Sequence, residues 1–373
     1  MTWAGRFKPS LSRGTIACGS IFFLCAALTF AQEALWKTYM DTGKKALEAK
    51  NYGIAEAMFL AARTEAKRFG SNDLRLAQTF YQLANVQFNE KTGDKGEANY
   101  RRAVEICERA DAPPSAEFAN FLNDLAILQG QQGRYAAAES LYRRALEMRE
   151  QLHGAARPEL VIPLSNLASN LKDQKRYGEA ELLYRRALAI AEKNGAGEAS
   201  SVGPALRKLA SNSMVQKRYD EAAPLFTRAR KLYEDAYGPA DLRTADALYD
   251  EAYNLFCAGR CAESEPLTLR ALEIFQKVRG PKHADVAATL SLLAVNYDIL
   301  RRVPEAEQRF KQALAMYVEL YGPDHPVLVA VLETYAGCLR EVGRQDEAKS
   351  LALRAAAIRK KHGLNPATED GRR

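Results

Sequence analysis

The sequence predicts an all-α chain built as an array of repeated helix pairs, and three observations carry this. The stretch GRYAAAESLYRRALEM from Gly133 to Met148 returns as KRYGEAELLYRRALAI from Lys175 and as KRYDEAAPLFTRARKL from Lys217, offset by 42 residues each time. Within it, one position keeps its residue at every step: Ala103, Ala145, Ala187, Ala229, Ala271, Ala313 and Ala355. A second signature, LNDLAIL from Leu122, LSNLASN from Leu164 and LRKLASN from Leu206, with counterparts from Leu248, Leu290 and Leu332, recurs at the same step. A fixed period of this size marks a repeat architecture, which grows by stacking units and not by enlarging one core.

The chain opens on a basic, polar stretch over residues 1–14, followed by a nearly continuous apolar run over residues 15–31 that ends Thr29-Phe30-Ala31 before Gln32. This reads as a secretory signal peptide over 1–31, cut after Ala31. The other reading is an uncleaved anchor formed by residues 15–31, at the short end of what spans a bilayer. Export places the protein in the periplasm or outside the cell; retention ties it to the membrane. The composition excludes little else. Arg6, Lys8 and Arg13 of the leader supply three of the +7 net charge, and the remaining +4 is dispersed. No nucleic-acid partner is expected, since that requires a concentrated basic face.

Each unit reads as two helices. In helix A, leucine at i is followed by a large residue at i+3 and alanine at i+4 (Leu122, Leu125, Ala126), which is helical spacing. The alanine recurs as Ala84, Ala126, Ala168, Ala210, Ala252, Ala294 and Ala336. Helix B carries the slot Tyr100, Tyr142, Tyr184, Phe226, Thr268, Phe310 and Ala352, three residues before its own alanine. Small residues at fixed places suit helices that cross closely. Gly154, Gly238, Gly280 and Gly322 stand where a left-handed C-cap ends helix B. Pro158 and Pro326, four residues further on, suit the first position of the next helix. The array is expected over residues 32–363, with a polar, disordered tail over 364–373 (LNPATEDGRR).

The set Leu122, Leu125, Ala126, Tyr135, Ala138, Tyr142 and Ala145 resembles the tetratricopeptide repeat (TPR), and the 42-residue period with the turn GPDHPVLVA from Gly322 resembles its kinesin-light-chain subtype. The resemblance covers about residues 35–362, in seven clear units and a degraded first one near Tyr39 to Ala62 that sits 41 residues before the next. It implies a right-handed superhelical solenoid of about eight helix pairs, with the A helices lining a concave groove. The family's groove positions, carried over unit by unit, fall on Tyr81, Asn85 and Phe88; on Lys172, with Asn166 beside the groove; on Arg207; and on Tyr249, Tyr253 and Phe256. The last three form an i, i+4, i+7 stripe, either an exposed aromatic platform or packing against the next helix A. With Lys208, the charges of Lys172 and Arg207 imply a protein or peptide partner with acidic and apolar residues.

No catalytic chemistry is legible. His153, His283, His325 and His362 fall at or near helix ends in separate units, and no pair has metal-ligand spacing. No catalytic residue, metal site or cofactor is expected. Of six cysteines, Cys18 and Cys25 lie in the leader. Cys257 and Cys261 flank one turn; in an oxidising compartment they form either a disulfide or two small buried hydrophobes. Two departures stand out. Glu251 fills a slot held by leucine at Leu125, Leu167, Leu209 and Leu293, and a buried carboxylate needs a partner. Asn170, Asn212, Asn254 and Asn296 also recur at step 42, as a hydrogen-bonded structural ladder would require. The expectation is a non-enzymatic, exported protein–protein interaction scaffold; the alternative is a membrane-anchored accessory subunit of a cell-envelope assembly.

Overall fold

The computed structural model describes residues 13–90, 93–193 and 198–364, with side chains over 29–90, 96–193 and 199–364. The start of the leader and the tail from residue 365 lie outside these ranges. Among the described residues there are sixteen α-helices and no strand. In chain order they form eight consecutive A/B pairs: α1 (Arg13–Glu48) with α2 (Tyr52–Ala66), α3 (Leu74–Asn89) with α4 (Gly93–Arg109), α5 (Ala116–Gln131) with α6 (Tyr135–His153), and α7 (Val161–Asp173) with α8 (Tyr177–Lys193). The second four are α9 (Glu198–Val215) with α10 (Tyr219–Tyr237), α11 (Leu242–Cys257) with α12 (Cys261–Arg279), α13 (Ala284–Ile299) with α14 (Val303–Tyr321), and α15 (Leu328–Glu341) with α16 (Gln345–Lys361). The chain divides into two compact units, residues 1–170 and 171–373, with the boundary inside α7.

In the first unit the core runs from Trp36 to Ala145. The degraded first pair is complete: Phe59 takes the aromatic slot and Ala62 the alanine slot, both fully buried. Gly43 of α1 allows this close approach, because a Cβ there would lie 2.5 Å from the Phe59 ring. Trp36 Nε1 donates to Thr79 Oγ1 at 2.9 Å and ties the pair to α3. The cut expected after Ala31 falls within α1. No helix among the described residues is long and apolar enough to cross a membrane.

The second unit repeats the same packing. Ala210, Ala252, Ala294 and Ala336 of the A helices and Ala187, Ala229, Ala271 and Ala313 of the B helices are all fully buried. At these points the backbones approach and the neighbouring leucines and aromatics fill the space around the contact. The pair α11/α12 departs from the pattern. Cys261, Ser264 and Thr268 replace the aromatic, alanine and aromatic of α6, α8 and α10, and all three are buried. Ser264 Oγ donates to the Ala252 carbonyl at 2.7 Å and accepts from Asn296 Nδ2 at 3.0 Å, so hydrogen bonds occupy what rings fill elsewhere.

Three repeated polar devices tie the stack together. Asn212 Nδ2 donates to the Tyr177 carbonyl and Asn254 Nδ2 to the Tyr219 carbonyl, each at 3.1 Å, clamping an A helix to the start of the B helix before it. This is the expected asparagine ladder, shifted to Ser264 at Asn296. The second device escaped the sequence reading. From α6 onward the residue before each B helix is arginine, and four of these reach back to a glutamate of the preceding B helix: Arg134 to Glu97, Arg218 to Glu181, Arg302 to Glu265, Arg344 to Glu307, at 2.5–2.8 Å. The rung fails at Arg260, where the corresponding slot is Ala223, and Arg260 pairs with Glu263 of its own helix. Third, Gly133, Lys175, Lys217, Gly259, Arg301 and Gly343, again at step 42, take positive φ at the A–B turn. Around Lys175 the Arg176 amide bonds to the Leu171 carbonyl at 2.9 Å, the long bond of a Schellman closure.

The B-helix glycines depart from expectation. Gly154, Gly238, Gly280 and Gly322 have φ of 86–90° but ψ of 161–165°, the extended mirror-image region and not the left-handed helical one. Essentially only glycine enters this region, and it turns the chain outright into the link to the next helix. Pro158 opens a 3₁₀ turn before α7, as its fixed φ favours, whereas Pro326 stands in the turn two residues ahead of α15.

The arginine ladder carries a pH dependence. Hydrogen bonds from Arg344 and then Lys311 hold the Glu307 carboxyl down at about 2. A carboxylate with a depressed folded-state pKa stabilises the fold fully above its unfolded value, about 4.3, and loses that contribution as pH falls toward 2. The urea midpoint of the wild-type chain is therefore expected to fall more steeply between pH 4.5 and 2 than that of Glu307→Gln. Parallel acid limbs for the two proteins would refute the assignment.

Candidate functional site

The second unit contains an apolar cleft on the face made by its A helices. Along α11, Leu248, Ala252 and Leu255 turn into the core, while Tyr249, Tyr253 and Phe256 lie along another stripe. Their rings follow one another, with centroids 6.3 Å apart for Tyr249–Tyr253 and 6.0 Å for Tyr253–Phe256. Tyr253 is 38% exposed, a large fraction for an aromatic beside the core. Facing the stripe are Ala288, Leu292 and Val295 of α13 and Ala330, Val331 and Thr334 of α15, with Phe310 and Tyr317 of α14 behind them. They enclose about 290 Å³, near the small end of ligand pockets and enough for one or two apolar side chains. Tyr249 packs against the core of this unit, whereas Tyr253 is the exposed ring of the three.

At one end the cleft joins a smaller recess lined by Arg207, Asp246, Asp250 and Asp285, sharing Tyr249 and Ala288 with it. Arg207 Nε contacts Asp250 Oδ2 at 2.6 Å, and Arg279 Nε contacts Asp285 Oδ2 at 3.3 Å. The two guanidiniums thus each have a carboxylate, and Asp246 is left with no hydrogen bond or ion pair among the described residues. Burial pushes the Asp246 carboxyl up, with Arg207 opposing and Asp250 and Asp285 adding to the rise. Arg207 was expected to offer free positive charge; its charge is instead held by Asp250, one repeat plus one residue along. The same 43-residue offset joins Tyr81 to Asp124 and Asn123 to Asn166. It is the signal, legible in the sequence, that pairs groove-facing residues of successive A helices.

A tetratricopeptide-repeat profile matches residues 75–151, 117–193, 244–317 and 299–361. The chain belongs to the tetratricopeptide repeat family. Among solved structures it is similar to the quorum sensor NprR of B. thuringiensis (TM-score 0.67, 12% identity, 86% of each chain covered). It is also similar to a Rap protein complexed with competence and sporulation factor (TM-score 0.53, 14% identity, 89% of this chain and 99% of that one). A third is a putative kinesin light chain of Podosopora anserina with nearly identical TPR-like repeats (TM-score 0.50, 18% identity, 55% of this chain and 97% of that one). At such identities the likeness is one of fold, and it includes the kinesin-light-chain type expected from the period. No curated protein sequence matches the chain. Tetratricopeptide arrays serve in general as interaction scaffolds and not as catalytic folds.

The other expected groove residues of this tetratricopeptide chain fall into two sets. In the first unit, Tyr81 stacks on Phe121 at 4.4 Å and donates its hydroxyl to Asp124 Oδ2 at 2.6 Å. Asn85 accepts from the Tyr100 hydroxyl at 2.5 Å, and Asn166 donates to Asn123 Oδ1 at 3.0 Å. These three are tied into their own stack, and only Phe88, 37% exposed, presents a large apolar side chain. In the second unit, Lys172 and Lys208 stand near one another: burial, then the neighbouring Lys172, pulls the Lys208 amine down.

Cys257 and Cys261 are unbonded in this structure, as two separate thiols. Cys261 is buried as the first residue of α12, whereas Cys257, the last residue of α11, is partly exposed. Glu251 finds the partner that the sequence could not name: Arg230 Nε at 2.6 Å, with Thr227 Oγ1 donating at 2.7 Å. His283 and His325 accept backbone amides through Nδ1 at the starts of helices, as helix-end histidines do. Among the described residues, no group of three or more His, Cys, Asp or Glu side chains is placed to hold a metal ion.

Proposed function

We propose that this protein is a non-enzymatic interaction scaffold, exported from the cytoplasm, that seats a segment of a peptide or protein partner in the cleft of its second unit. The observation that supports this most is the cleft itself: three aromatic rings from one helix over an open apolar gap of about 290 Å³. Aromatic anchors in such pockets dominate binding energies. The similar Rap protein was solved in complex with competence and sporulation factor, so the fold accommodates a bound factor in a relative. The acidic part of the expected partner now rests on Lys172 and Lys208 alone, because Arg207 is neutralised by Asp250. We therefore assign the cleft an apolar occupant.

A photo-crosslinking residue placed at Tyr253 is expected to trap a partner in cells, and one at Leu182, 68% exposed on α8, is not. Equal trapping from both positions would remove the cleft from consideration. Tyr253→Ala is expected to weaken capture about tenfold or more, as loss of an aromatic hot spot does, without lowering the melting temperature appreciably. The N-terminus of the mature chain tests export separately. Gln32 supports a cleaved leader, and Met1 supports the membrane-anchored accessory subunit in its place.

A further inference from the structure

The acid recess and the apolar cleft together specify a partner chemistry. Asp246, Tyr249, Asp250 and Tyr253 stand at i, i+3, i+4 and i+7 of α11 and share one stretch of its surface. Three carboxylates and the Arg207 guanidinium line this end of the cleft, with Arg279 reaching Asp285 from beside it; pairing Arg207 with Asp250 and Arg279 with Asp285 leaves one negative charge, on Asp246. Arg207 attracts Asp246 without touching it, and a half-buried carboxylate with no direct hydrogen bond or ion pair is costly to retain for packing alone. His283 lies beside Asp285, its Nδ1 taken by the Asp285 backbone amide, and makes no contact with Asp246. Asp246 stands one helical turn from Tyr249, whose ring opens the apolar cleft, a spacing of about 5–6 Å between Cβ atoms. Side chains on one face of an extended segment are spaced about 6.5–7 Å, two residues apart.

We propose that the cleft selects a segment in which an apolar side chain and a lysine or arginine lie two residues apart, the first entering over Tyr249 and Tyr253 and the second meeting Asp246. This rests on the reading of the cleft as a docking site and reverses, for this stretch, the acidic partner expected from sequence. A glutamate in the same place would meet Asp246 and be rejected by like charge, the repulsive half of specificity.

Two fluorescein-labelled synthetic peptide pools test it by anisotropy against the purified full chain. Both fix Phe-x-Arg or Phe-x-Glu within flanks randomised over Gly, Ala and Ser. The arginine pool is expected to bind about tenfold or more tightly than the glutamate pool, less so at high salt. Asp246→Asn is expected to erase that difference by weakening the arginine pool alone. It should melt no lower than wild type, since the charge it removes is disfavoured by burial. Equal or tighter binding of the glutamate pool, or an arginine preference that survives Asp246→Asn, would overturn the inference. The docking reading then still stands if Tyr253→Ala weakens both pools. Binding of neither pool would overturn the docking reading together with the inference.

Discussion

Arg230→Ala is expected to lower the stability of the second unit by about 3–5 kcal/mol, the usual result of stripping one partner from a buried ion pair. Glu251 occupies a position that other repeats give to leucine and is only 8% exposed. Its two oxygens take one bond each from Arg230 Nε and Thr227 Oγ1, at 2.6 and 2.7 Å. Arg230 also contacts Glu234 at 2.8 Å, and Glu234 contacts Arg270 at 2.5 Å, so the network joins α10, α11 and α12. Removing the guanidinium leaves Glu251 with a single hydroxyl in a place that water reaches poorly. The contrasting variant separates burial of charge from loss of contact. Glu251→Leu restores the residue of the other repeats and leaves Arg230 bound to Glu234. It is expected to be neutral or stabilising, within the ~1–4 kcal/mol gained when buried ion pairs give way to hydrophobes. Urea melts followed by circular dichroism at pH 7 give both numbers. A loss below about 1 kcal/mol for Arg230→Ala would mean that the pair behaves as an exposed one.

This network shows what the sequence could and could not disclose. The fold was legible because helix pairing is written into residues that repeat: every recurring alanine of both helices that was traced by step 42 is buried, and the aromatic slot is filled from Tyr100 to Phe310 except at Thr268. Periodicity places a residue on a face, so it also placed Tyr249, Tyr253 and Phe256 on one stripe. It does not place charge partners, because those lie on other helices. Glu251 was visible as an anomaly, but Arg230 could not be picked out among the many arginines. Arg207 was read as free because Asp250 lies one repeat plus one residue away, off the 42-residue register used to read the array. The arginine–glutamate ladder is the reverse case: Arg134, Arg176, Arg218, Arg260, Arg302 and Arg344 recur in register. Their meaning depends on a glutamate 37 residues earlier, an offset that only the packing of successive B helices explains.

Phe310→Ala is expected to have a comparable effect, about 3–5 kcal/mol, as for other fully buried phenylalanines truncated in a core. The ring is wholly buried and stacks on Tyr335 at 5.1 Å with planes 16° apart, and its edge forms part of the cleft wall. Truncation opens a cavity that joins the cleft, so loss of stability and loss of shape at the docking site should appear together. Phe310→Leu, which keeps most of the volume, is expected to lose less than half as much stability. One repeat earlier the same slot holds Thr268 and the stack stands, which looks like a licence for Phe310→Thr. The local chemistry argues otherwise. Thr268 donates to the Ser264 carbonyl at 2.8 Å, while the Ser264 hydroxyl holds the Ala252 carbonyl and Asn296, so the smaller core there is closed by hydrogen bonds. The residue in the position of Ser264 is Ala306 in the Phe310 repeat, and it has no hydroxyl to supply. Phe310→Thr is therefore expected to be at least as damaging as Phe310→Ala, and Ala306→Ser in addition should recover part of the difference. Because neighbouring pairs in such arrays couple only to one another, hydrogen exchange should show the loss concentrated in α13 to α16. A uniform loss across the second unit, or a Phe310→Thr variant as stable as Phe310→Leu, would refute this account of why one repeat tolerates a threonine and the next does not.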